Sequence, residues 1–417
     1  MSNHRTLGRT LLLAAALPLA GCADMGPAQP AGPGAALVAL PRSLSAAEQS
    51  VLSSSNAFSF ALWVRINATQ PDSNVFVSPL SASFSLGMAF NGAANQTFDE
   101  MRSGLQFGTT PLADVDAGYK SLVALLTSLD PSVTMEIANS IWYRNSFPFD
   151  QTFLDAGADY FSATITPLNF NDAPGSLAAI NSWVNDRTHG KIPTILESIN
   201  ASDVMYLINA IYFKGSWRTR FDATQTIAAP FHSPGGDQPA HLMHRHGTMS
   251  YAATPAYQAV DLPYGDSAFT MTVVLPDPST TVAAVASSLD AAAWQALTAQ
   301  LHGGDVDLYL PKVTMSWKRE LIPDLEALGM HVPFSSTGAD FTKMSPVSGL
   351  YISFVKQKTF VDINEEGTEA AAVTATGVSV TSVSVPSQMR VDRPFIFAIR
   401  ERLSGTVLFM GKVVSLP

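Results

Sequence analysis

The sequence predicts an α+β chain built on large sheets, and three observations carry that expectation. Helical and strand-like patterns are interspersed without the regular β-α alternation of a parallel sheet. The composition, 47% hydrophobic and 14% charged over 417 residues, supports a large buried core. No internal repeat and no Gly/Ser-rich linker breaks the chain after its N-terminal region. One large domain is therefore expected, although the length alone would admit two.

At the N-terminus, Arg5 and Arg9 precede an apolar run from Leu11 to Leu19, too short for a membrane span of about 20 residues. The run ends in Leu19-Ala20-Gly21-Cys22, which resembles the bacterial lipoprotein signal motif. Residues 1–21 are read as a signal peptide and Cys22, the only cysteine, as the lipidated residue. The plainer alternative is an ordinary signal peptide with a chance cysteine. Aspartate at Asp24, one place later than directly after the cysteine, leans toward the outer membrane or cell surface; secretion is the other expectation. Residues 22–44 are rich in Ala, Gly and Pro and read as a flexible or extended tether.

From Ser45 the pattern turns helical, with Phe58, Ala61, Leu62 and Ile66 on one face and Pro71-Asp72 ending it. "NVFVSPLS" reads as a short strand followed by a helix with Ser78 as N-cap and Pro79 at its first position. "VTMEIANSIWYRN" alternates as a strand, with Asn139 among its apolar positions. "SLAAINSWVNDRTHGKI" is helical and closes near Gly190. "DVMYLINAIYFKGSW" is an apolar strand with Asn209 in its middle. Residues 248–275 read as strand pairs around a Gly-Asp turn. Residues 281–301 read as one helix, "DVDLYLPKVTMSW" as one strand whose interruption at Pro311 suggests an edge or a bulge, and "KRELIPDLEALGM" as a helix ending at Gly329. "YISFVKQKTFVDIN" and two terminal strands, "PFIFAIRE" and "TVLFMGKVVS", complete the set.

The stretch from Asn364 to Pro386 is the unusual one. It is almost free of charge after Glu369 and built from Ala, Thr, Ser, Val and Gly. A structureless loop beyond about 12–15 residues is uncommon and usually functional or disordered. Taken two by two, Thr368, Ala370, Ala372, Thr374, Thr376, Val378 and Val380 form a face with no charge and no large side chain. The segment is suited to be either a loop or a strand.

Several separated motifs, in order, resemble the serpin family over residues 45–417. "NVFVSPLS", with Ser78 and Ser81, resembles the start of its buried central helix, and "INSWVNDRTHGKI" the helix across its main sheet. "LINAIYFKGSW" supplies the sheet asparagine, Asn209, and the tryptophan at the top of the sheet, Trp217. "YLPK" places Lys312 as a basic partner for Glu365, and "NEEGTEAAA" is similar to the hinge of inhibitory members: Glu365, Glu366, Gly367, Thr368, Glu369, Ala370, Ala371 and Ala372. Gln357 stands where the family often has a histidine bonded to the sheet asparagine; its amide has the donor and acceptor to satisfy Asn209 as a tolerated substitution, and a looser sheet opening is the alternative.

The resemblance implies a serpin fold with large mixed sheets and an exposed reactive-centre loop at about 364–386. It implies a suicide inhibitor of serine proteases, held in a covalent acyl-enzyme complex after the cut loop inserts into the main sheet. Thr368 would be the first side chain to enter. Counting on from Gly367 as the family does puts the reactive bond at Thr381-Ser382, with Val380 and Val383 as neighbouring alternatives. Small uncharged bait residues suit an elastase-like or subtilisin-like pocket. A non-inhibitory serpin-fold lipoprotein with a binding role is the alternative, and a surface adhesin a third.

No cofactor is expected, and a monomer is. The net charge of −10 and the lack of a basic cluster disfavour nucleic acid; a membrane would be met only through the lipid. His241, His244 and His246 have a metal-like spacing, but the sequence puts no Cys or carboxylate beside them, so surface or strand histidines in a loop-to-strand region are expected and no metal. No hydrolase, zinc-protease or nucleotide-binding motif is present, so an enzyme is not expected.

Overall fold

The computed structural model describes residues 34–200, 202–368 and 386–417. In chain order it begins with α1 (Ala46–Thr69), β1 (Val75–Val77), α2 (Pro79–Gly92), α3 (Asn95–Gly104), α4 (Leu112–Ser128) and β2 (Val133–Arg144). Next come α5 (Gln151–Phe161), β3 (Thr164–Leu168), α6 (Ala173–Arg187), β4 (Met205–Ser216), β5 (Ile227–Ser233), β6 (Gly236–Ala253), β7 (Tyr257–Pro263) and β8 (Phe269–Pro276). The chain then forms α7 (Val282–Ser288), α8 (Ala291–Gln300), β9 (His302–Pro311), β10 (Val313–Glu320) and α9 (Ile322–Ala327). It closes with β11 (Lys356–Asn364), β12 (Gly367–Thr368), β13 (Ser387–Arg390), β14 (Phe395–Glu401) and β15 (Val407–Val413). Helices and mixed sheets in this order make the fold α+β.

A six-stranded sheet has the order β10-β11-β12-β4-β2-β3. A nine-stranded sheet runs β1-β15-β14-β8-β7-β6-β9-β13, with β5 on β6. Strands β8, β14 and β15 are buried at every position, as their predominantly apolar residues require of strands covered on both faces. Strand β4 is two-faced. Tyr206 and Ile208 join a cluster with Ile180 and Val184 of α6, while Leu207 and Ile211 turn to the main core. Helix α2 is buried on nearly every side, capped by Ser78 and started by Pro79. Helix α1 opens with a reciprocal capping box between Ser45 and Glu48.

Four expectations need correction. Residues 281–301 form two helices, because the Asp290 side chain caps a fresh start by accepting from the Ala293 N–H. "DVDLYLPKVTMSW" is two strands in different sheets: β9 ends at Pro311, Lys312 is the junction, and β10 begins at Val313. Strand β9 lies between β6 and β13, so Pro311 marks a crossing and not an edge. His241, His244 and His246 all lie within β6, where cross-strand carboxylates invisible to local spacing meet two of them: His244 Nε2 is 2.6 Å from Asp307 and His246 Nε2 3.0 Å from Asp305.

The fourth concerns the tether. Its first part and Cys22 lie outside the described residues, but residues 34–44 are docked on the domain. The Leu37 N–H donates to Asp266 O (2.7 Å), Arg402 donates to Leu37 O (2.5 Å), and Arg218 donates to Gly34 O (3.0 Å). Leu37, Leu40 and Leu44 pack on the main core. These three leucines are the signal that composition masked.

Candidate functional site

The site is the head of the six-stranded sheet, where the chain turns back on itself after β11. Residues Glu365 and Glu366 make the turn. Gly367 and Thr368 then pair antiparallel with Asn364 and Ile363 on one side and with Ser216 and Gly215 on the other. Only glycine fits at 367, since a Cβ would collide with the Gly215 carbonyl and lie 2.7 Å from Ser216 Cα.

The turn is held from several directions. Trp217 N–H donates to Glu366 O (2.8 Å), and its indole N–H donates to Asn364 O (2.8 Å). Phe221 N–H donates to Glu365 O (2.9 Å). The Glu365 carboxylate receives Lys312 Nζ at 2.9 Å and the Thr226 hydroxyl at 2.9 Å. Burial alone would raise the Glu365 pKa, but Lys312, the backbone and Thr226 outweigh it and hold it below its ordinary value. Lys312 can reach this carboxylate because it sits where the chain passes from one sheet to the other.

Thr368 is 3% exposed, and its hydroxyl is 2.7 Å from the Tyr264 hydroxyl. Tyr264 stacks on Trp217 with ring centroids 4.5 Å apart, and burial pushes its phenol pKa up. Thr368 is therefore already inside the sheet of the intact chain, which corrects the expectation that it would be the first side chain to enter. Two side chains donating and accepting hydroxyl bonds make its burial tolerable without a cut.

Below Thr368 no strand among the described residues lies between β4 and β11. Among the described residues, β4 pairs with β2 and β12, and β11 with β10 and β12; no ladder joins β4 to β11. A void of about 20 Å³ lies just under Thr368, lined by Ile211, Phe213, Thr359 and Val361 among others. A larger cleft of about 110 Å³ continues between residues 204–211 and 351–359, with Ser81 and other side chains of α2 as its inner wall.

Gln357 lies in that cleft but does not satisfy Asn209. Its Oε1 accepts from Ser78 N (2.9 Å) and its Nε2 donates to Ser78 O (2.7 Å), so it grips the backbone at the start of α2. Ser78 Oγ donates in turn to Leu408 O (2.8 Å), and Thr359 donates to Phe76 O. Asn209 instead donates to Asn139 Oδ1 (2.6 Å), and Asn139 donates to Phe161 O (2.7 Å). The buried Asn209 Oδ1 has no partner among the described residues. The amide of Gln357 accepts and donates at once, so the nearer backbone N–H and C=O of Ser78 occupy both its ends.

The structure thus brings together Ser78, Ser81, Asn209 and Gln357 at the cleft, and Trp217, Lys312, Glu365, Glu366, Gly367 and Thr368 at its head. Glu369 to Ala372, Thr381 and Ser382 lie outside the described residues. Sequence reasoning missed Tyr264, Thr226, Phe221 and Asn139. Only Asn139 left a trace, as a polar residue among the apolar positions of an alternating strand.

Residues 53–416 match the family model described as serpin (serine protease inhibitor). The leukocyte elastase inhibitor of Xenopus laevis is 31% identical, over 86% of this chain and 97% of that protein. Human thyroxine-binding globulin, solved in complex with thyroxine, superposes with a TM-score of 0.81 at 26% identity, over 89% of this chain and all (100%) of that one. The thermophilic serpin tengpin in its native state gives 0.78 at 30% identity, over 92% and 97%. With a glycine at the head of its main sheet and this match along nearly its whole length, the chain belongs to the serpin family.

Proposed function

We propose that the protein is a suicide-substrate inhibitor of serine proteases, acting by cleavage of the 364–386 loop and its insertion between β4 and β11. The observation that carries this is the unpaired gap between those strands, continuous with a hinge that already occupies its head. Extending the pairing of β12 downward would set Ala370 between Phe213 and Val361, Ala372 between Ile211 and Thr359, and Thr374 between Asn209 and Gln357. All of these strand positions face the core, and the small loop residues fit there. The Thr374 hydroxyl would arrive where Asn209 Oδ1 lacks a donor.

Insertion is driven by burial and new ladder bonds. Each Val-sized side chain buried contributes about 1.5–3 kcal/mol, and each new hydrogen bond about 0.5–1.5 kcal/mol net. The intact loop cannot collect these, because both its ends are anchored: one in β12 and the other in β13, which pairs with β9. A protease that acylates on Thr381 releases one anchor. Insertion then carries the enzyme away before the acyl bond is hydrolysed.

The bait around Val380, Thr381, Ser382 and Val383 is small and uncharged, which favours an elastase-like or subtilisin-like target. The similarity to leukocyte elastase inhibitors supports the same class. Incubation with a panel of serine proteases should give a complex that survives a denaturing gel, plus a released C-terminal peptide beginning near Ser382. Cleavage of the loop by every protease with no trapped complex would sink the proposal. A non-inhibitory binding role is the second reading, favoured by the likeness to thyroxine-binding globulin; in that case cutting the loop would change ligand affinity and trap nothing. Anchoring through acylated Cys22 at the cell envelope belongs to the proposal too. Palmitate labelling lost in Cys22→Ala is its test.

A further inference from the structure

The docked arm carries the N-terminal chain to the head of the six-stranded sheet, the end that bears the loop. Gly34 O accepts from Arg218, and Leu37 bonds Asp266 and Arg402. Arg218 and Asp266 both adjoin the hinge. Arg218 follows Trp217, whose N–H holds Glu366 O, and the Arg218 N–H donates to Pro263 O (2.8 Å). Asp266 is two residues on from Tyr264, the partner of Thr368, and the Gly265 N–H between them donates to Ser216 O at the end of β4 (2.9 Å). The Asp266 N–H donates to Asp130 Oδ2 (2.9 Å), just before β2 begins at the same end of the sheet. Further along the arm, Arg42 pairs with Glu48 of α1 (2.6 Å) and donates to Ser121 of α4 (3.0 Å). The arm is thus fastened near both its ends.

These fastenings decide what an anchor at Cys22 would do. Gly34 is 12 residues on from Cys22, at most about 43 Å of chain whatever its path. Strand β4 has 12 residues, so its start at Met205 lies about 36 Å from the head of the sheet. A domain tethered by its head cannot turn freely beside a bilayer it does not enter. The head stays within reach of the tether, and the opposite end stands farther out on average.

We propose that the arm of residues 34–44 sets the polarity of the anchored protein, loop end toward the bilayer, and that its partner is a serine protease held at that same membrane. The partner's active site would lie within about 40 Å of the lipid, the reach of the tether. This rests on the Cys22 anchor and the inhibitor reading above. Two molecules tethered to one surface meet at an effective concentration set by whether their tethers span the gap, which can raise apparent affinity about 10²–10⁴-fold without a new contact. Small uncharged bait residues such as Thr381 and Ser382 offer little of their own to select by. Shared location supplies the selection.

The test uses the acylated protein in phospholipid vesicles carrying an acceptor dye at their surface. A donor on Gln225→Cys, at the head, should transfer about twofold or more efficiently than one on Ser202→Cys, just before β4, given the added height of about 36 Å. Leu37→Asp with Leu40→Asp should free the arm, lengthen the tether to about 72 Å at Arg42, and remove most of that difference. For the partner, a chain with Cys22→Ala and Ser202→Cys, coupled to lipid through the new thiol, is held by its opposite end. It should trap an elastase-like protease on a short tether in the same vesicles about tenfold or more slowly than wild type, and the free protease equally fast. Wild type that does not stay on the vesicles would overturn the anchor reading, and the polarity with it. Wild type that stays bound but traps no serine protease in solution would overturn the inhibitor reading. Bound wild type with equal transfer from the two positions would overturn the polarity alone. Equal trapping of the tethered protease by both anchored forms would overturn the choice of partner.

Discussion

Replacing Gly367 with alanine should unseat the hinge. The added Cβ would strike the Gly215 carbonyl and come within 2.7 Å of Ser216 Cα. Both obstacles are backbone of β4, and Gly215 is itself paired with Val133 on its far side, so no side-chain rotation relieves the clash. Relief requires withdrawal of Gly367 and Thr368 from the sheet. That forfeits the Thr368–Tyr264 hydrogen bond and the ladder on both sides of β12. At about 0.5–1.5 kcal/mol per bond, loss of a few bonds amounts to about 2–4 kcal/mol. The same collision stands in the inserted form, so the first contacts of insertion are weakened as well. At about 1.4 kcal/mol per tenfold in rate, insertion after cleavage should slow by tenfold or more. Hydrolysis of the acyl-enzyme would then win. On a denaturing gel with an elastase-like protease, Gly367→Ala should give mostly cleaved inhibitor where the wild type gives mostly complex. Equal trapping together with an unchanged unfolding midpoint would refute the reasoning.

Charge and polar satisfaction give further tests. Glu365 has a depressed pKa, so its hold on the hinge is present above the ordinary carboxylate range and is lost as pH falls through its lowered value. Spontaneous loss of the intact form on warming should quicken below about pH 4, and Lys312→Gln should quicken it at pH 7 and flatten that dependence. Burial raises the pKa of Asp116 to about 6 against one hydrogen bond from Asn91, so its charged form destabilises the fold as pH rises toward 6 and beyond. Asp116→Asn should raise the melting temperature at pH 8, by at most about 3 kcal/mol of stability, and by little at pH 4. Asn139→Leu removes the acceptor of Asn209 and leaves a half-buried amide unpaired, which should cost about 1 kcal/mol in chemical denaturation. Thr368→Arg puts an unpaired cation against Tyr264; loss of trapping with cleavage retained is the expected gel result, and normal trapping would contradict the buried position of Thr368.

What the sequence made legible was local. The N-cap at Ser78 and the strand holding Asn209 follow from residue type and spacing, whereas the hinge glycine and the Lys312–Glu365 pair follow from the likeness of their motifs to the serpin family. What escaped was set by contacts between distant segments. Tyr264 meets Thr368 across 104 residues, and nothing around Tyr264 marks it as a hinge partner. Gln357 carries the right chemistry for Asn209 yet binds Ser78, because the choice between two available partners is decided by packing and not by hydrogen-bonding type. Pro311 interrupts a pattern in the same way whether it ends a strand or changes sheets. The docked arm was hidden because Leu37, Leu40 and Leu44 are diluted among Ala, Gly and Pro.

Gly367 and Thr368, though only two residues, change the kinetics of the loop once it is cut. The slow part of starting any ladder is immobilising its first residues before bonds compensate. In this protein that step is complete while the chain is whole. Under the proposed mechanism, a severed loop would therefore zip from a fixed end, without searching for its groove, and enter its race against hydrolysis with a head start.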